Sequence, residues 1–408
     1  MATWTKQSLF KLGTVARGKS KHRPRNDSFL YGGDYPFIQT SDIKHSNFYV
    51  TKHEQTYNET GLKQSKLWPA ETLCITIAAN IAENAILSYP ACFPDSVVGF
   101  IADSKKSNVK FVKYALDHAK KSFQKTAKGT AQDNLSLNKI KTITLNVPEV
   151  KEQDKIAEVL SAYDDLIENN EKRIRILEEM AQRLYNEWFV KFKFPGHEKV
   201  KMVDSGKECG MIPEGWSIGS IGEIANVISG FPFKGSTYKK IGKYKIVTIK
   251  NVHDGKFVLN FDSFIDELPA KLPAACVLKN GDILLSLTGN VGRICLVYGL
   301  DHVLNQRVAK LDLVNKNNRE FTYLLFRQKK FQQKLEAMSN GAAQQNLSPV
   351  QVKNIKIIIP NSVILDEFSG LFGKYFDMII SLQEKNQNLA KTRDLLISQL
   401  VTGKREIT

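Results

Sequence analysis

No stretch of the chain offers the roughly 18 uninterrupted apolar residues of a membrane span, and its start, Met1-Ala2-Thr3-Trp4-Thr5-Lys6, lacks the apolar core of a signal peptide. A cytoplasmic protein is the expectation. Cysteine is scarce, with five in 408 residues, at 74, 92, 209, 276 and 295, and no C-x-x-C pair. That excludes a disulfide framework or a zinc cluster and leaves the cysteines as reduced packing residues. Also missing are a G-x-x-x-x-G-K-[ST] phosphate loop, an H-E-x-x-H helix, a G-x-S-x-G elbow and a G-x-G-x-x-G turn between strand and helix. The Asn-Pro-Pro-aromatic tetrapeptide of amino-methyltransferases is absent too. We read no catalytic residue, no metal ligand set and no cofactor site. Acid is short relative to base, 42 Asp and Glu against 58 Lys and Arg, a formal net charge of +16. With a pI near 9.4, the chain favours a polyanionic partner, nucleic acid or an acidic membrane surface. The 42% hydrophobic and 25% charged content is ordinary for two or three soluble globular domains.

What is present begins with a seam. Ile156, Leu160, Tyr163, Ile167, Asn170, Ile174, Leu177, Ala181, Leu184 and Trp188 recur at alternating steps of four and three, a heptad stripe on one long helix. Adding 212 to each gives Phe368, Phe372, Tyr375, Ile379, Leu382, Asn386, Leu389, Arg393, Leu396 and Leu400, a second such stripe. A narrow 4-3 seam suits one partner helix, so the two are expected to pair with each other. In the full antiparallel register Ile156 faces Leu400, Trp188 faces Phe368 and Asn170 faces Asn386, whose buried amides satisfy each other. Ala181 then meets Tyr375, and Arg393 is placed to stack on Tyr163. Asp164, Asp165 and Glu168 on the first helix read as a solvated face.

The duplication reaches beyond the helices. Trp4, Leu9, Leu12 and Val15 answer Trp216, Ile221, Ile224 and Val227 at the same offset of 212. Tyr35 through Ile43 answers Tyr244 through Val252, both read as short strands, and Leu73 to Asn80 answers Ile283 to Asn290. Ile143 to Pro148 and Ile355 to Pro360 are strands that each stop at a proline before a long helix. Helical patches at Val112 to Phe123 and Phe321 to Met338 make each unit α+β. The expected order is a globular domain over 1–150, a long helix over 151–194, a polar linker and second domain over 195–361, and a long helix with its tail over 362–408.

Base-rich tracts lie in the globular units. Arg17, Lys19, Lys21, Arg23 and Arg25 recur at every second residue with no acid between them. Lys105, Lys106, Lys110, Lys113, Lys120, Lys121, Lys125 and Lys128 form another set. In the second unit Lys234, Lys239, Lys240, Lys243 and Lys245 share a loop with Phe231, Phe233 and Tyr238. Such cations suit phosphate contacts. The element Gly129 to Ser136 reappears as Gly341 to Ser348, carrying Gln132, Gln344 and Gln345. Gln and Asn can bond an adenine edge twice, and a turn-and-cap role stands beside that reading.

Gly210-Met211-Ile212-Pro213-Glu214-Gly215-Trp216, Ile228-Ser229-Gly230-Phe231-Pro232-Phe233-Lys234, the two Gln-x-Asn-Leu-Ser elements, Tyr163 to Asn170 and Leu184 to Val190 together resemble the specificity subunit of type I restriction-modification systems. The resemblance covers essentially the whole chain. It implies two target-recognition domains separated by two long helices pairing as an antiparallel coiled coil, a pseudo-two-fold internal repeat without chemistry of its own. It also implies double-stranded DNA as ligand, two methyltransferase subunits using S-adenosylmethionine, and motor-nuclease subunits using ATP and Mg. One departure is that Glu152-Gln153-Asp154 becomes Ile364-Leu365-Asp366 in the second copy, which bears on whether both helices dock partners equally. Antiparallel pairing of equivalent helices implies a pseudo-two-fold axis, and because the two globular units differ in sequence, two unlike half-sites are expected, spaced by a helix of roughly 48 Å at ~1.5 Å per residue, against about 34 Å per DNA turn. A duplicated nucleic-acid-modifying enzyme, or a coiled-coil scaffold whose basic units bind RNA, is the alternative.

Overall fold

The computed structural model describes residues 3–78, 81–127, 137–206, 210–339 and 346–407. The chain divides into two compact units, Met1–Glu168 with Gln387–Thr408, and Asn169–Asn386.

In the first unit the main sheet runs Gly13–Arg17, Val97–Ala102, Leu73–Thr76, Asn84–Leu87 and Tyr49–Val50 in spatial order. The two inner segments, LCIT and NAIL, are buried at every position, so they show no polar alternation. A second sheet is built on Tyr31–Phe37, antiparallel to Gln55–Tyr57 and parallel to Ala91–Cys92. The helix Val109–Ala127 buries Phe111, Tyr114 and Leu116 with Leu73, Ile86 and Phe100. Thr5–Ser8 pairs Thr144–Val147 just before the long helix begins.

The second unit repeats the first four strands of the main sheet. Ala225–Ser229, Val308–Leu313, Ile283–Ser286 and Ile294–Leu296 form its main sheet. Leu73 pairs Ile86 as Ile283 pairs Leu296, and Thr5 pairs Val147 as Ser217 pairs Ile359. Duplication is therefore conserved to the hydrogen-bond register. The expected strands Tyr35 to Ile43 and Tyr244 to Val252 are shorter than read, ending at Phe37 and Val247. A capped helical turn follows each, with Gln39 and Asp42 closing one capping box and Thr248 and Asn251 the other. The polar linker carries a ribbon of its own, Met202–Asp204 against Met211–Pro213.

The long helices span Val150–Tyr185, continued by a π-helical turn Asn186–Val190, and Ser362–Leu400. In the first unit Ile156, Ala157 and Leu160 share a core with Ile397, Leu400 and Val401. In the second, Asn170 Nδ2 donates to Asn386 Oδ1 at 2.8 Å, and the Trp188 and Phe368 rings sit 5.5 Å apart. The pairing is antiparallel. One layer differs from expectation. The Arg393 guanidinium bonds the Asp164 carboxylate and Asp394 rather than stacking on Tyr163. Asp164 is accordingly buried, not on a solvated face, and also accepts from Tyr114 Oη at 2.5 Å. Burial pushes its carboxyl up, against the opposing pull of Arg393.

Gln153 is fully buried and works as a clamp at the start of the first long helix. It donates to the Pro148 and Lys106 carbonyls and accepts from Asn108 N, while Asp154 accepts from Asn108 Nδ2 at 2.8 Å. In the second copy Asp366 accepts from Asn317 Nδ2 at 2.7 Å and Leu365 is buried. The change from Glu-Gln-Asp to Ile-Leu-Asp thus exchanges a polar clamp for an apolar one at an internal joint.

Candidate nucleic-acid interface

Each basic loop leaves its sheet by the same two hydrogen bonds. Gly18 N donates to Val97 O at 2.9 Å and Lys19 N to Phe93 O at 3.0 Å; Gly230 N donates to Val308 O at 3.0 Å and Phe231 N to Leu304 O at 2.8 Å. Gly18 has to be glycine, because a Cβ there would lie 2.3 Å from Phe93 O. Ser20 is also buried, its hydroxyl 3.3 Å from Tyr57 Oη. Small residues therefore point inward at alternate positions, and Arg17, Lys19 and Lys21 are exposed. Two residues not singled out from sequence hold this loop from below. Ser65 Oγ donates to Lys19 O at 2.7 Å, and Gln64 Oε1 accepts from Lys21 N and His22 N. Both act on backbone atoms, so charge patterning carries no trace of them.

The run is not free of acid in space. Arg25 bonds Asp95 through Nη2, and Arg23 Nη2 lies 3.7 Å from the other oxygen of the same carboxylate. The second basic set does not join the first. Gly13 pairs Ala102 at one end of the strand pair and Arg17 pairs Val98 at the other. Lys105 and Lys106 thus follow from the end opposite the loop, on the order of 14 Å away at 3.4 Å per residue. Lys106 is bonded to Asp103 at 2.8 Å. Lys113 is buried, bonded to Asp117 at 2.8 Å with its ammonium 5.0 Å above the Phe48 ring, and Lys120 bonds Glu83 at 2.7 Å. These two lysines serve packing.

In the second unit Lys234, Lys240 and Lys243 are exposed, Lys243 lying over the Tyr244 ring. Lys239 is tied to Asp266, a bond that raises the amine's pKa and lowers the carboxyl's. Phe231 and Phe233 are not stacking platforms. Their rings meet at 5.1 Å in a small core with Ile246, Ile265 and Val303. Tyr238 remains half-exposed and lines a cleft of about 390 Å³ with Lys250, Asp262, Asn305, Gln306 and Arg307, Lys250 being bonded to Asp262 at 2.7 Å. Gln306 and Arg307 are exposed in the turn between the His302–Leu304 and Val308–Leu313 strands. Sequence reading passed them over because they lie about 70 positions from the lysine tract.

Gln132, Gln344 and Gln345 lie outside the described residues. The end of the second element is structural. Asn346 bridges Thr288, Leu347 is fully buried, and Ser348 caps the short helix Pro349–Lys353, which intervenes before the expected strand.

Two unlike copies of one α+β domain, each with a backbone-anchored basic loop, and an antiparallel pairing of long helices define a bivalent polyanion-recognition protein. The family model described as Type I restriction modification DNA specificity domain matches residues 3–179 and 213–388. The chain belongs to that family. It is 28% identical to the type I restriction enzyme MjaIX specificity subunit of Methanocaldococcus jannaschii, over 98% of this chain and 93% of that one. The MjaVIII specificity subunit of the same organism is 27% identical over 91% and 86%. In fold the chain is similar to the type I restriction-modification S subunit of M. genitalium, with a TM-score of 0.60 at 18% identity, covering 100% of this chain and 97% of that one.

Proposed function

We propose that this chain is the DNA-reading subunit of a type I restriction-modification complex, in which each domain reads one half of a bipartite, asymmetric duplex site. The helix pair sets the number of unread base pairs between the halves and docks two methyltransferase subunits. Chemistry belongs to those subunits, with S-adenosylmethionine, and to motor-nuclease subunits with ATP and Mg, in the cytoplasm. The observation that carries this reading is the pair of loops leaving identical backbone anchors at Gly18 and Gly230 with different side chains: one presents Lys19, Lys21 and Arg25, the other Lys234, Tyr238 and Lys240. The same frame with different readers is what two unlike half-sites require.

Methylome sequencing of cells carrying this chain with its cognate partner subunits tests the proposal. The expected result is two dissimilar half-sites separated by a constant number of unread base pairs. Methylation by the purified chain alone, or preference for RNA in competition with duplex DNA, would overturn it.

A further inference from the structure

The turn Phe93 to Val97 in the first domain is the counterpart of Leu304 to Val308 in the second, since each pair of end residues accepts the same two backbone bonds from its basic loop. Asp95 therefore stands where the second domain has Gln306. An acid at the centre of a basic face is unfavourable for phosphate contact, so its presence there has another cause.

That cause lies in how the two arginines use their donors. Arg23 gives Nη1 to the Ser20 and His22 carbonyls, at 2.6 and 2.8 Å, and turns Nη2 toward Asp95 at 3.7 Å. Both ends of its fork are taken. Arg25 uses only Nη2, on Asp95, and its side chain is 43% exposed. Its backbone is pinned as well, because Tyr31 Oη donates to Arg25 O at 2.7 Å. A guanidinium has five N–H donors in a fixed plane, and one held by a carboxylate keeps a free edge whose orientation is set. Two parallel donors at fixed orientation match guanine O6 and N7 in the major groove, the commonest specific arginine contact with DNA.

We propose that Arg25 reads a guanine of the first half-site, with Asp95 as the positioning residue that aims it and Arg23 as the brace that completes the fork. The assignment rests on the DNA-reading role proposed above. In the second domain the corresponding turn carries Gln306 and its own arginine, Arg307, in place of the acid, and the acid of that cleft, Asp262, is bonded to Lys250.

The test is selection of bound sequences from a randomised duplex pool by the full-length chain with its cognate methyltransferase subunits. For the unaltered protein, one position of the first half-site is a guanine. Asp95→Asn lowers preference for that guanine by roughly 5- to 150-fold, the value of one bidentate pair, and leaves the second half-site unchanged. Affinity for unselected duplex stays equal or rises, because a negative charge has left the face. Loss of a merely structural carboxylate would instead lower binding to all sequences together. Arg25→Lys, which keeps the charge but not the fork, relaxes the same position. An intact motif in either variant, relaxation spread over both half-sites, or a first half-site without guanine overturns the assignment. Failure of the unaltered protein to select any duplex motif sinks the DNA-reading role itself.

Discussion

Asn170 and Asn386, 216 positions apart in the chain, share one hydrogen bond of 2.8 Å across the paired long helices. Asn170 is 8% exposed, so this is a second polar layer in the seam, beside the Arg393–Asp164 pair. Such a layer costs stability and penalises slipped alignments.

Replacing Asn170 alone with Leu should therefore cost on the order of 1 kcal/mol, because the half-buried Asn386 amide loses this hydrogen bond. Replacing both with Leu should recover that loss or exceed it while loosening the register. Chemical denaturation of the two single variants and the double variant measures the first effect. Cysteine cross-linking at positions one heptad out of register detects the second.

Neutralising Lys19 and Lys21 should weaken binding to every duplex and reduce the salt slope by ~0.9 for each phosphate no longer neutralised. Neutralising Lys113 should leave the slope unchanged and instead destabilise the first domain by about 1 to 3 kcal/mol, since it strips Asp117 of its ammonium partner. A binding series in salt and a thermal melt together separate the two classes of lysine.

Arg307 and Gln306 should act on the other half-site. Alanine at either position should relax one base pair of the second half-site by ~1 to 3 kcal/mol and leave the first unchanged. Sequence selection on each variant checks this, and relaxation of the first half-site would contradict it.

Acid should loosen the second domain through His302. The ring is buried against Phe257 and Phe261, and its Nε2 lies 3.1 Å from Tyr298 O. Burial, and then the neighbouring Lys245 charge, push its pKa down from 6.5 to about 4. A depressed histidine contributes stability above its unfolded pKa, and that contribution is lost as pH falls from about 6.5 toward 4, where the unfolded chain takes up the proton first. The loss is on the order of 3 kcal/mol. His302→Phe should flatten the fall of stability over that window in denaturation curves taken at successive pH values.

The seam, the duplication and the antiparallel register were legible in the sequence because each depends on local spacing. A 4-3 apolar period can only be a helix stripe, and two stripes with asparagines at complementary positions leave few ways to align. Strand ends were less legible: Ile43 and Asn251 belong to capped turns whose Gln39–Asp42 and Thr248–Asn251 pairs look like ordinary polar residues in a β-rich run, and Val252 opens a separate short strand. What only the tertiary structure decided is which charges are free. Lys19 and Lys113 are the same residue type in similar tracts, yet one is exposed on a loop and the other buried against Phe48. Arg25 meets an acid 70 positions away, Arg393 meets Asp164 at 229, and Arg307 joins the Tyr238 cleft through a turn remote from the lysine tract. Helix periodicity repeats every few residues and is written locally, whereas ion pairing depends on which distant segments the fold brings within a few ångström.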